Sequence, residues 1–234
     1  MSLRRRSTAE ERMDTDCRDE ADYARCLADL ARVNRLTLTH RPMLAWLAAE
    51  TADGAPFSLL DVACGHGDAL RAVARWAARR GQVAQLTGID RHPWAINAAR
   101  TATPDPAIRF VQADVFAWTP DPRPDFIVSA QFAHHLDEAA LIRFIAWMEA
   151  TARRGWFIGD LHRHHVAHRG FPLLARLAGW HRFVRHDGQV SIARGFRPSE
   201  WPALLAAAGL PPQAATIRRH LPFRLSVARR CTPR

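Results

Sequence analysis

The run Leu60-Asp61-Val62-Ala63-Cys64-Gly65-His66-Gly67, followed by Asp68, places small residues where an apolar strand pattern gives way to a helical one. Gly65 and Gly67 let the backbone approach a ligand closely. Such a turn opens on the carboxyl edge of a sheet, where α/β proteins hold nucleotides. Two further acids end later apolar runs: Asp90 after Thr87-Gly88-Ile89, and Asp114 after Phe110-Val111-Gln112-Ala113. A carboxylate at Asp90 can accept from both hydroxyls of a ribose, and one at Asp114 from an adenine amino group. Each alone could be a helix cap. Acids at three successive strand ends argue for a nucleoside site.

The sign of the charge narrows the ligand. A pyrophosphate-binding turn needs another small residue three places after its second glycine, and Leu70 stands there. Asp61 and Asp68 would oppose a pyrophosphate but suit an ammonium and a sulfonium, which favours S-adenosylmethionine over a dinucleotide. Arg35 is a candidate for the carboxylate of that cofactor, because a guanidinium can hold it bidentately.

Methyl transfer to a hydroxyl also needs proton removal, and histidine is the usual base near neutral pH. The chain has 12 histidines. His134 and His135 follow the fourth strand and are the first candidates. Asp160 and His162, at and after the end of the fifth strand, are the candidates for an orienting carboxylate and a second imidazole. His164 and His168 would share a helical face, but no HExxH pattern accompanies them, so no metal is expected.

The elements that must position these residues alternate. Strands are expected at 58–63, 85–90, 108–113, 125–130 and 155–160, with helices at 68–80, 93–102 and 137–152 between them. This is the α/β pattern of a Rossmann-like, seven-stranded, mostly parallel sheet with helices on both faces. Two runs around 215–219 and 223–228, separated by Pro222, would close it as a C-terminal antiparallel strand pair. Residues 1–18 lack periodicity and read as a flexible tail. Residues 19–57 carry an amphipathic helix from Asp19 to about Thr37 and a second helix from near Arg41 to before Asp53, as an N-terminal cap. A turn is expected at His186-Asp187-Gly188, with a short strand-like run after it.

With these residues in place, the stretch from Leu59 to about Leu161 resembles the class I S-adenosylmethionine-dependent methyltransferase core. The run Asp125–Leu136, ending His134-His135-Leu136, is similar to the ubiquinone/menaquinone-biosynthesis methyltransferases. The resemblance implies S-adenosyl-L-methionine as cofactor, held by Asp61, Ala63, Cys64, Gly65, Gly67, Asp90, Arg91, Asp114, Val115 and Gln131. Ala63 stands where many relatives have a glycine. It further implies a methyltransferase domain at 58–234, with an acceptor-site insert at about 161–197. The expected reaction is O-methylation of an aromatic, quinone-like or polyketide-derived hydroxyl on a small molecule, with C-methylation of an activated ring as the nearest rival. A non-catalytic cofactor-binding protein would share the fold.

The bulk composition limits the partners. All 33 basic residues are arginine, and the net charge is +10. The arginines are dispersed, in a chain rich in alanine and leucine, as high-GC bacterial genomes encode, so nucleic acid is not the expected partner. An RNA methyltransferase is further opposed by Ser129-Ala130-Gln131-Phe132, where an Asn/Asp-Pro-Pro-aromatic tetrad would stand. Four cysteines without CxxC spacing fit a reducing cytoplasm. No membrane span is expected, and a homodimer is compatible with a chain of this kind.

Overall fold

The computed structural model describes residues 3–231. Seven strands form one sheet in the order β3-β2-β1-β4-β5-β7-β6. β1 (Phe57–Val62), β2 (Ala84–Asp90), β3 (Ile108–Gln112), β4 (Phe126–Ala130) and β5 (Gly155–Leu161) are parallel, and β7 (Arg224–Arg230) runs antiparallel to both β5 and β6 (Thr216–His220). Strand order reverses beside β1, which puts the ligand crevice at the carboxyl ends of β1 and β4.

Alternation decides which residue faces which layer. Phe57, Leu59, Phe126, Val128 and Phe157 pack with Leu70 and Val73 of α4 (Asp68–Arg79) and with Leu47 of α3 (Arg41–Glu50). Leu60, Val62, Ile127, Trp156 and Ile158 pack the other way, on α6 (Glu138–Thr151) and α9 (Trp201–Ala207). Pro at the first or second helical position starts α3, α5 (Pro93–Ala102) and α9, where its missing N–H costs nothing. Gly88 on β2 is required by close approach. A Cβ there would lie 2.8 Å from Leu70 Cδ1 and 2.9 Å from Cys64 Sγ.

A third cluster forms the cap. α2 (Glu20–Leu36) packs with α7 (His165–Leu177) and α8 (Arg182–Arg194) through Tyr23, Leu27, Ala175, Phe183 and Val184. The expected turn at His186-Asp187-Gly188 is instead the middle of α8. Asp187 turns its carboxylate onto the N–H groups of Arg12 and Met13, capping α1 (Arg12–Thr15) from another element. Gly188 lets Phe171 lie against α8, since a Cβ there would collide with its ring.

The expectation of a flexible tail is also corrected, except for residues 1 and 2, which lie outside the described residues. Leu3, Glu11 and Met13 are buried. The Leu3 carbonyl accepts from Arg163 Nε and Arg197 Nη2, and Ser7 N donates to the Ala193 carbonyl. The segment is a strap along α8, held by its few apolar and acidic residues rather than by periodicity. Among the described residues no helix is long and apolar enough to cross a membrane.

Candidate active site

The turn after β1 builds the first cavity. Ala63, Gly65 and Gly67 have φ of 58°, 50° and 74°, so the chain reverses through left-handed conformations before α4 begins. That is unstrained for glycine and costs about 1 kcal/mol or more for Ala63. Gly67 itself does not line the cavity. It starts α4, and a Cβ there would fall 2.8 Å from Phe110 Cζ.

The cavity has a volume of about 310 Å³ and is lined by Asp61, Ala63, Cys64, Gly65, Asp90, Arg91, Asp114, Val115 and Gln131 among others. Nine of the eleven residues expected to hold a cofactor therefore meet in one place. Besides Gly67, the exception is Arg35, which is exposed on the outer face of α2 and outside the lining. Its neighbour Asn34 and the more distant His40 line the cavity instead. The helical pattern could have marked Asn34 as inward-facing, but nothing in the sequence marks His40.

The acids differ in state. Asp61 is 1 % exposed, and its Oδ1 has no hydrogen-bond partner. Burial, reinforced by Asp68 and Asp90, pushes its carboxyl well above the ordinary carboxylate range. A cationic donor would relieve this. Asp68 is already satisfied: His40 Nε2 lies 2.7 Å and Asn34 Nδ2 3.1 Å from its Oδ2. Burial would raise Asp68, but these contacts win and hold it at about 2. Asp90 accepts from Gly65 N at 3.0 Å and His92 N at 2.9 Å, one donor on each oxygen. Each oxygen keeps a lone pair for a vicinal diol. Asp114 is exposed and accepts from Phe116 N. An orphaned buried carboxylate, a half-satisfied one and a close backbone turn fit an adenosyl amino acid with a positive charge.

A second cavity of about 280 Å³ adjoins the first, and Glu11, Met13, Leu30 and Gln131 line both. Its wall is mainly apolar, from Cys26, Val33, Phe171, Leu174, Phe183, Val184 and Phe223. Trp156 and Phe196 are core residues and do not line it. Gln131 stands at the junction with φ 57°. Asn34 Oδ1 accepts from its amide at 2.5 Å, and its backbone N donates to the Gly159 carbonyl. Strain of this kind in a non-glycine residue concentrates at functional sites.

The histidine pair divides. His134 is 2 % exposed and clamped between two carboxylates, with Nδ1 2.7 Å from Asp160 Oδ1 and Nε2 3.4 Å from Glu11 Oε1. Burial would lower its pKa, but Asp160 and Glu11 outweigh it and raise it to about 9. An imidazolium cannot take a proton, and His134 lines neither cavity. Asp160 is likewise buried, with both oxygens committed to His134 and the Leu161 N–H. It holds His134 and lines neither cavity. His162 lies outside both cavities. The alternation at the end of β5 sends Leu161 into the second cavity and His162 towards His164.

His135 does line the first cavity. Burial and then the neighbouring His134 cation lower it to about 4, so it is neutral at physiological pH. Its Nε2 lies 3.8 Å from Glu11 Oε2. Burial would raise Glu11, yet the hydrogen bond to His134 and the two imidazoles bring it to about 2. Glu11 comes from the strap and gave no sequence signal. Glu11, His134 and His135 have ligand-type atoms within 4.8 Å of one another. However, both His134 nitrogens already face carboxylates, and Arg6 and Arg194 donate to its carbonyl. Those donors describe an ion network rather than a metal cage.

Sequence and structure comparisons agree with this geometry. Residues 59–155 match the family model described as a methyltransferase domain. The chain thus carries the domain of the class I methyltransferases, the class whose methyl donor is S-adenosylmethionine. It is similar to the plantazolicin methyltransferase BpumL, solved with a desmethylplantazolicin analogue and S-adenosylhomocysteine: 14% identity over 92% of this chain and 97% of that one, TM-score 0.64. Human N-acetylserotonin methyltransferase, solved with S-adenosylmethionine, aligns at 16% identity over 96% of this chain and 60% of that one, TM-score 0.66. Magnesium protoporphyrin IX methyltransferase from Synechocystis PCC 6803 aligns at 13% identity over 94% and 91%, TM-score 0.55. No curated protein matches the sequence.

Proposed function

We propose that the chain is a cytoplasmic methyltransferase that methylates a hydroxyl on a small, largely apolar, aromatic or polyketide-derived acceptor. The observation that carries this reading is the junction of two cavities, one lined by several acids, the other mainly apolar, with Glu11 and Gln131 in the wall of both. The structural relatives are named for acceptors as unlike as plantazolicin, N-acetylserotonin and magnesium protoporphyrin IX. The fold therefore leaves the acceptor open, and the second cavity is the part of this chain that would select it.

S-adenosylmethionine supplies a methyl group on a sulfonium. Asp90 would bind the ribose hydroxyls, and Asp61 would receive the ammonium. The apolar wall of the second cavity excludes water and orients the acceptor hydroxyl towards the junction. A hydroxyl accepting that methyl group would become strongly acidic, so even a weak base could take its proton. His135 is neutral, faces the cavity and has Glu11 beside it, so it serves as that base. Cys17, Cys26, Cys64 and Cys231 form no disulfide, which fits a reducing compartment.

The test is transfer of a labelled methyl group to a panel of phenols and naphthols. Replacing His135→Ala should lower kcat by roughly 10²- to 10⁴-fold while leaving S-adenosylhomocysteine affinity unchanged. Unchanged turnover in that variant would remove the base from the account.

A further inference from the structure

The second cavity contains a charge that the methyl-transfer chemistry does not use. Arg224, the first residue of β7, is 7 % exposed and lines this mainly apolar space. It pairs in register with Leu161 of β5 and His220 of β6, which fixes it at the carboxyl edge of the sheet. Its Nη2 donates to Thr37 Oγ1 at 2.8 Å and its Nη1 to Gln131 Oε1 at 3.4 Å. Its Nε has no partner. Burial draws the guanidinium down to about 10, which still leaves it charged at neutral pH.

Among the described residues, no carboxylate lies within ion-pair distance of it. Asp160 is the acid whose field it feels, but that carboxylate is occupied by His134 and the Leu161 N–H. The two acids in the cavity wall are also committed, Glu11 to His134 and Ser191, and Asp187 to the N–H groups opening α1. Arg163, whose side chain is fully buried, shows how the same fold satisfies a guanidinium. It has the Glu200 carboxylate on Nη2, the Leu3 carbonyl on Nε and the Gly195 carbonyl on Nη1. A buried cation left without an anion is costly unless a ligand supplies one.

We propose that Arg224 is the anion-recognition residue of the acceptor site, so that the acceptor is an apolar ring system bearing a carboxylate close to the hydroxyl that is methylated. The closeness follows from Gln131, which touches Arg224 and stands at the junction of the two cavities. The planar guanidinium fork matches a carboxylate bidentately, whereas a neutral amide offers one oxygen and no charge. The inference rests on the reading of the second cavity as the acceptor site.

The experiment is calorimetric titration of the protein, saturated with S-adenosylhomocysteine, with 1-hydroxy-2-naphthoate and with the neutral 1-hydroxy-2-naphthamide. The carboxylate should bind roughly 10- to 100-fold more tightly than the amide. Arg224→Met should abolish this preference while S-adenosylhomocysteine still binds, and Arg224→Lys should keep only part of it. If Arg224→Met fails to fold, the loss in Arg224→Lys decides. Equal binding of the two ligands by the wild type, or an undiminished preference in Arg224→Met or Arg224→Lys, overturns the assignment. Ala167→Trp, which fills the second cavity from α7, separates the two levels. If it still binds both ligands, the acceptor-site reading is wrong. If it loses both while the wild type shows no preference, only the role of Arg224 is wrong.

Discussion

Replacing His134→Gln should remove a buried cation from between two buried carboxylates, and the cost can be worked from the geometry. His134 Nδ1 lies 2.7 Å from Asp160 and Nε2 3.4 Å from Glu11, with all three side chains nearly inaccessible. Raising the histidine from 6.5 to about 9 corresponds to roughly 3 kcal/mol at about 1.4 kcal/mol per tenfold change. Removing one partner of such a pair costs about 3–5 kcal/mol, because the remaining charges stay buried. The contribution has a definite pH signature. The folded pKa exceeds the unfolded one, so the stabilisation is complete below about pH 6.5 and is lost as pH rises through about 9. Urea denaturation of the wild type between pH 6.5 and 9.5 should therefore show stability falling by about 3 kcal/mol. Cys26 and Cys64, whose thiols are raised by burial, add a decline of their own near the upper end. Subtracting the His134→Gln profile isolates the histidine, and the variant itself should start about 3–5 kcal/mol lower at pH 6.5. A wild-type profile parallel to that of the variant, or a variant less than about 1 kcal/mol weaker, would refute the ion network.

Asp61→Asn should keep the fold, since it replaces a buried carboxylate that lacks one partner with a neutral isostere, yet weaken S-adenosylmethionine binding by roughly 10-fold or more, read by calorimetry. Gly88→Ala places a methyl against Leu70 and Cys64 and should destabilise by about 1–3 kcal/mol in a urea melt. Unchanged stability would mean that α4 and the turn after β1 are less tightly seated on the sheet than described.

Much of the frame was legible because it is periodic. Apolar runs bounded by Asp61, Asp90 and Asp114 specified parallel strands whose carboxyl ends converge, and nine proposed cofactor residues line one cavity as a result. Tertiary context defeated the reading elsewhere. His186-Asp187-Gly188 has turn composition, but Asp187 is spent on capping another segment and Gly188 on admitting Phe171. The strap has no period to detect. It is held by single residues such as Leu3, Arg6 and Glu11, and it carries the carboxylate that splits His134 and His135 into an imidazolium and a neutral imidazole. Adjacent positions in sequence gave no hint of that division, because burial and opposite charge set it in three dimensions. Arg35 and His162 failed for the simpler reason that the helix phase and the strand alternation turn them away from the cavities.

The central claim, that the acidic cavity holds an adenosyl amino acid through Asp90, is tested most directly by titrating S-adenosylmethionine into the wild type and into Asp90→Ala in a calorimeter. Saturable one-to-one binding by the wild type, weakened roughly 10-fold or more in Asp90→Ala, is the predicted result. Absence of binding at millimolar cofactor, or identical affinity in the two proteins, would contradict it.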